Sequence, residues 1–238
     1  MQSERLDKVL SNLGFGSRTE VKRSLGKGSV KVNGELVKDG SIKISIRDEI
    51  QYGEEIILRK PYYYFMMNKA PDCITATEDP REKTVMDYLK GRHRQMGLFP
   101  VGRLDKETEG LLIFTTNGPF AHKYTSPKHL IEKEYYAEVM GFLTDSDSKA
   151  FSTGIELDDG YITLPGKLEI LEAGETSKAK VVIREGKFRQ IRRMFVMLGK
   201  EVTYLRRQKM GAIDLDPSLS IGSYRELSDE EISRLEGP

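Results

Sequence analysis

One cysteine, three histidines and no tryptophan are all that 238 residues supply of those side chains. A lone Cys73 excludes an internal disulfide and fits a reducing compartment. His93, His122 and His129 are scattered, so no metal-ligand spacing forms, and the chain is expected to carry its chemistry without a metal. No run is long and apolar enough to span a bilayer, and the first residues lack the apolar centre of a secretory signal. A cytoplasmic protein with no membrane partner is the expectation. Internal repeats and low-complexity linkers are missing as well.

What is present is charge. Charged residues make up 32% of the chain and hydrophobic residues 38%, enough for a core. The formal net charge of +1 conceals segregation. Residues 17–31 carry five basic and one acidic side chains, and residues 184–209 carry nine and two. From Asp214 onward the sign reverses, with seven acidic and two basic, which reads as solvated surface without an assigned role. A polyanion responds to local patches rather than to the total.

Periodicity divides the chain near Arg59-Lys60-Pro61, giving domains 1–60 and 61–238. In the first, Leu6, Val9, Leu10 and Leu13 share a helical face, with Ser3 placed to cap and Gly14 to stop. Ser17 and Glu20 have the capping-box spacing before a helix with Val21 and Leu25 inward. "SVKVNGELV" turns at Asn33-Gly34, a hairpin signal, and "SIKISIRDEIQYG" supplies more strand. In the second domain "YYYFMMNK", "LLIFTT", "KEYYAEVMG", "LEILEA" and "AKVVIREG" read as strands. Helical patterns fall at roughly 84–90, 119–124, 145–152 and 188–198. Their mixed order predicts an α+β class rather than alternating βαβ units.

Asp105 is the residue hardest to place. It lies in "VGRLDKETEGLLIFTTNG" between Arg103 and Lys106, after an apolar Leu104 and before the run Leu111 to Phe114. A capping or turn aspartate is the commonest explanation. A sheet-edge carboxylate, bracketed by Gly102 and Gly110 and kept ionised by a nearby guanidinium, would instead suit a nucleophile. Lys133 and Tyr135 stand two apart in a strand and share a face, with Tyr136 opposite. A core aromatic is the ordinary fate of such a tyrosine. In "EGKFRQIRRMFVMLG", Ile191, Met194, Phe195 and Leu198 form the apolar side of a helix ended by Gly199. Arg189 and Arg193 point away from it, suited to phosphates, and Arg192 lies on the flank. A solvated helix side is the plain alternative.

Two resemblances choose among these. "RLDKVLSNLGFGSRTEVKRSLGKGSVKVNGELV" resembles the αL-type RNA-binding module named after the fourth small-subunit ribosomal protein. That likeness implies that Arg18, Lys22, Arg23 and Lys27, with Lys31 beyond them, grip structured RNA. "GRLDKETEGLL" is similar to the Gly-Arg-Leu-Asp-x-x-Thr-x-Gly-Leu-Leu signature of pseudouridine synthases, which isomerise uridine within RNA. The resemblance implies that Asp105 is the essential catalytic residue and that Arg103 holds the target nucleotide out of its stack. It implies that Tyr135 of the Lys-x-Tyr motif packs on the uracil, beside Lys133. It also implies that Arg192 of Gln-Ile-Arg pairs with Asp105. One departure is visible: many relatives carry Lys-Pro-x-Gly where this chain has Lys69-Ala70-Pro71-Asp72, leaving that turn open.

Together the likenesses imply a small αL-type domain plus a larger catalytic domain whose mixed, mainly antiparallel sheet is flanked by helices. This is the architecture of the RsuA/RluB/RluF group acting on ribosomal RNA. "TSPKHLIEKEYYAEV" looks more like the small-subunit branch, implying 16S rRNA as substrate, with a small-subunit assembly particle as partner and a monomeric enzyme. An isomerisation needs no redox change and no group donor, so no cofactor is expected. The alternatives are a 23S uridine as target, or a silent rRNA-binding assembly factor.

Overall fold

A computed structural model describes residues 3–57 and 59–236, with the side chain of Glu236 outside the description. The chain divides into two units. The first comprises residues 1–63, 86–99 and 115–117, and the second 64–85, 100–114 and 118–238.

In the first unit β1 (Glu4–Arg5) runs into α1 (Leu6–Asn12), followed by α2 (Arg18–Gly26). The expected cap at Ser3 is not used: Arg5 occupies the N-cap position and no side chain caps it. Chain pairing explains this, because β1 pairs antiparallel with β4 (Lys43–Ile44) and fixes the entry to the helix. The inward stripe holds, with Leu6, Val9, Leu10 and Leu13 all buried. Helix α2 begins with both halves of the capping box, Glu20 N–H to Ser17 Oγ and Ser17 N–H to Glu20 Oε2. Gly14, at φ +82°, does more than end α1: a Cβ there would overlap the Arg92 carbonyl. β2 (Val30–Val32) and β3 (Glu35–Leu36) form the hairpin, with Asn33 and Gly34 both at positive φ as a type I′ turn requires. β5 (Ile50–Tyr52) and β6 (Glu55–Ile57) complete a sheet ordered β3-β2-β5-β6.

The second unit is organised by one sheet. Its path is β11 (Lys167–Glu172), β12 (Thr176–Ile183), β10 (Lys133–Met140), β13 (Glu201–Met210), β9 (Glu109–Thr115), β7 (Tyr64–Lys69) and β15 (Tyr224–Glu226). β8 (Phe99–Pro100) pairs with β9, and β14 (Ile213–Asp214) with β13. β13 and β9 run parallel through Arg206↔Glu109 and Arg207↔Gly110, whereas β10 is antiparallel to both β12 and β13. The fold is therefore α+β with a mixed, mainly antiparallel sheet. All six residues of β7 and six of seven in β9 are buried, the mark of strands covered on both faces. Helices α3 (Gly118–Thr125), α4 (Asp145–Thr153) and α5 (Gln190–Met197) fall where periodicity put them, and residues 85–88 form a 3-10 turn.

Two elements escaped sequence reading. β13 is the ten-residue strand beside β10 and β9, and its "EVTYLRRQKM" pattern is broken by consecutive charges. The acidic end is not merely solvated. β15 pairs with β7, and α6 (Asp229–Glu236) follows. Leu227 and Leu235 are buried there, and Arg225 contacts both Asp216 and Glu231. Among the described residues no helix is long and apolar enough to cross a membrane.

Candidate active site

Asp105 sits in the loop leading into β9, in a cleft of about 270 Å³ lined also by Arg103, Thr108, Tyr135, Arg189 and Leu205. The sheet explains the gathering. β13 lies between β9 and β10, and its Arg207 pairs with both Gly110 near the start of β9 and Tyr135 near the start of β10, so these two strand starts reach the same hollow. The loop is held from below by a residue sequence reasoning assigned no part. Lys69 is fully buried, and its Nζ donates to the carbonyls of Ala70, Lys106 and Thr108 at 3.0–3.1 Å. The turn after it, which departs from the family pattern, therefore bears directly on the Asp105 loop. Asp72 takes φ +58° there, the left-handed conformation glycine would supply and aspartate tolerates.

The electrostatics differ from expectation. Burial pushes the Asp105 carboxyl above its ordinary range, and the attraction of Arg189, then Arg192 and Lys69, only partly offsets this. The guanidiniums therefore moderate the acid's pKa rather than depress it. Nor do Asp105 and Arg192 form the implied ion pair: no contact within 4 Å joins them among the described residues. The reason is local. Arg192 Nη1 donates to the Val202 carbonyl at 2.7 Å, which holds the guanidinium against β13. Arg189 is the stronger influence on Asp105. It occupies the N-cap of α5 at φ +48°.

Tyr135 is only 7% exposed and lines the cleft. With Lys133 it also lines an adjoining cavity of about 380 Å³, as does Arg207. Lys133 Nζ donates to the Ile131 carbonyl at 2.9 Å, and burial together with Arg207 brings its pKa down to about 8. Tyr136 faces the other way and hydrogen-bonds Glu138 at 3.0 Å. Arg103 is exposed on the rims of both hollows and has no side-chain partner among the described residues.

Arg193 is a correction. It is not turned out for phosphate but bound to Asp158 and, at 2.8 Å, to Asp159, clamping the 158–159 turn. Arg189 is exposed at the cleft, with Glu107 4.0 Å away. In the first unit Arg18, Lys22, Arg23 and Lys27 are all exposed, and Lys31 with them. None carries an ion pair or side-chain hydrogen bond among the described residues, so the patch stays open to a polyanion.

Several buried polar residues that line these hollows were missed. Thr108, the threonine of the signature, is buried with its hydroxyl unpartnered among the described residues and lines the cleft. Gln190 is buried, donates to Glu185 at 2.8 Å and accepts from Lys187 N–H at 2.9 Å, fixing the loop before α5. Arg207 is buried and donates to the Leu111 carbonyl at 2.8 Å. Periodicity carried no signal for these buried polar groups. The signature threonine and the Gln190 of Gln-Ile-Arg could have been flagged from their motifs, whereas Arg207 could not.

The family model described as RNA pseudouridylate synthase matches residues 56–196, and the S4 domain model matches residues 4–50. They define the class as a pseudouridine synthase joined to an S4 RNA-binding module. An uncharacterized RNA pseudouridine synthase, YtzG, of Bacillus subtilis (strain 168) is 40% identical over 98% of this chain and 99% of its own length. The ribosomal small subunit pseudouridine synthase A of Haemophilus influenzae is 38% identical over 97% and 99%. The ribosomal large subunit pseudouridine synthase B of Bacillus subtilis is 36% identical over 98% and 95%. A crystal structure of a pseudouridylate synthase, 36% identical, superposes with a TM-score of 0.69 over 97% of this chain and 99% of that one. The chain belongs to the RsuA/RluB-type family of pseudouridine synthases carrying an S4 domain.

Proposed function

We propose that the protein isomerises one specific uridine of 16S ribosomal RNA to pseudouridine, in the cytoplasm, as a monomer acting on an assembling small subunit. The observation that supports the chemistry is the meeting of Asp105 and Tyr135, thirty positions apart in sequence, in one cleft. Residues 1–60, with Arg18, Lys22, Arg23 and Lys27 outward, grip structured RNA. Residues 61–238 hold the reaction. Arg103 supports the vacated stack, and Tyr135 packs on the extruded uracil, since a stacked base hides its reacting atoms. Asp105 attacks as the carboxylate, at the sugar's anomeric carbon or at carbon 6 of the ring. The bond from ring nitrogen 1 to the sugar breaks and the uracil turns in place. As carbon 5 bonds to the sugar, the bond to Asp105 breaks and the carboxylate is regenerated; carbon 5 then loses its proton and nitrogen 1 gains one. Arg189, Arg192 and Lys69 set the field around the acid, and Lys133 supplies a second positive charge beside Tyr135. No cofactor takes part.

The small-subunit assignment rests on "TSPKHLIEKEYYAEV" and on the 38% identity to the Haemophilus small-subunit enzyme. A second reading, a 23S uridine, is favoured by the 36% identity to the Bacillus large-subunit enzyme. Carbodiimide mapping of pseudouridine in rRNA from a deletion strain decides between them. Loss of one 16S site supports the first, and loss of a 23S site the second. Loss of neither makes the protein a silent binding factor. Complementation with Asp105→Asn should restore no site while the purified variant still binds rRNA, and turnover by that variant would overturn the mechanism.

A further inference from the structure

Phe188 is the most exposed of the large apolar side chains in the described structure, at 76%. Its position is not a random surface one. It lies between Lys187 and Arg189 in the short loop before α5. It borders the cleft that holds Asp105 and Tyr135. It also borders a second, shallower hollow of about 180 Å³ that shares Arg103, Leu104, Asp105 and Arg189 with the first but contains no tyrosine. Phe188 thus stands on the margin common to both hollows.

The loop is held rather than loose. Gln190 accepts from Lys187 N–H at 2.9 Å and donates to the buried Glu185 at 2.8 Å. Glu185 in turn accepts from Leu164 N–H at 2.8 Å and from the Tyr161 hydroxyl at 2.6 Å. Phe188 is therefore presented to solvent from an anchored loop, without a ring contact among the described residues. Lys187 Nζ is engaged over the Tyr161 ring, 4.3 Å from its centroid, whereas Arg189 lines both hollows with Phe188. A free-standing phenyl ring beside that guanidinium matches what single-stranded RNA requires: a flat apolar face for a base, with positive charge for a neighbouring phosphate. One aromatic is already committed to the target uracil in the tyrosine-lined cleft. Resting on the pseudouridine synthase reading, we infer that Phe188 stacks on the nucleotide next to the target, seated at the second hollow, and so positions the RNA chain as Tyr135 positions the reacting base.

The test uses the full chain. Unmodified 16S and 23S rRNA transcripts serve as substrate in single-turnover assays at varied enzyme concentration. Phe188→Ala should raise the half-saturating concentration by ~10-fold, the scale of one lost base–aromatic stack. The rate at saturation should stay that of the parent. Phe188→Trp should restore the parent value and Phe188→Leu should not, because leucine keeps apolar bulk without a π-face. A second readout does not need turnover. Single-stranded oligonucleotides carrying 2-aminopurine on one or the other side of a uridine should be quenched by the parent protein and by Phe188→Trp, and not by the Ala or Leu variants. A Leu variant that matches the parent in both readouts overturns the proposal. So does quenching that survives Phe188→Ala. Absence of pseudouridine with quenching intact would instead count against the catalytic reading alone.

Discussion

Replacing Gly110 with alanine tests whether the site depends on close approach of two strands. Gly110 pairs with Arg207 across the parallel β9–β13 contact, at φ +101°. A Cβ there would overlap the Arg207 carbonyl oxygen and stand 2.8 Å from the Arg207 nitrogen and 2.9 Å from Arg206 Cγ. Two costs follow. Holding an L-residue at that φ costs about 1–3 kcal/mol. Moving the strands apart disturbs a two-residue parallel pairing whose hydrogen bonds contribute roughly 1 kcal/mol each. The sum is about 3–5 kcal/mol, which at roughly 2–4 °C per kcal/mol for a domain of this size lowers the melting temperature by roughly 6–20 °C. Function should suffer at any temperature, because Arg207 sits on the displaced strand and Asp105 is on the loop entering β9. Differential scanning fluorimetry, with hydrogen exchange resolved on β13, reads the stability, and single-turnover pseudouridine formation reads the site. An alanine variant that melts within ~2 °C of the parent and keeps its rate would refute the close-approach argument.

Four further outcomes can be checked. Since burial raises the Asp105 pKa, kcat/KM should fall as pH drops through a value above the ordinary carboxylate range, and Arg189→Ala should move that limb to still higher pH by removing the largest attraction. By the same sign, a raised folded-state pKa means the ionised acid costs stability at neutral pH, so Asp105→Asn should melt at or above the parent temperature. RNA affinity should weaken as pH rises through about 8, where Lys133 loses its charge, and Lys133→Arg should remove that dependence. Arg193→Ala should leave the salt dependence of RNA binding unchanged while loosening the 158–159 turn to proteolysis, whereas Lys22→Ala and Arg23→Ala should each reduce the salt slope by about one. An Arg193→Ala slope reduced like those of the lysine and arginine variants would return Arg193 to the phosphate contacts.

The sequence by itself determined the local elements and pointed to the side chains proposed to carry the chemistry. The Ser17–Glu20 box, the Asn33-Gly34 turn, the alternating β10 and the apolar stripe of α5 depend on contacts a few residues apart, so their residue types carry the information. The signature around Asp105 did likewise, because its spacing is contiguous. Tertiary structure alone decided which of these meet, and with what charge state. Asp105 and Tyr135 share a cleft only because β13 inserts between their strands, a long-range pairing that no local pattern encodes. Burial, which raises the acid against its cations, comes from surrounding chain distant in sequence, as does the support of Lys69. The fates of Arg192 and Arg193 turned on acceptors elsewhere: the Val202 carbonyl for one, Asp158 and Asp159 for the other. A guanidinium binds whichever carbonyl or carboxylate the fold brings within reach.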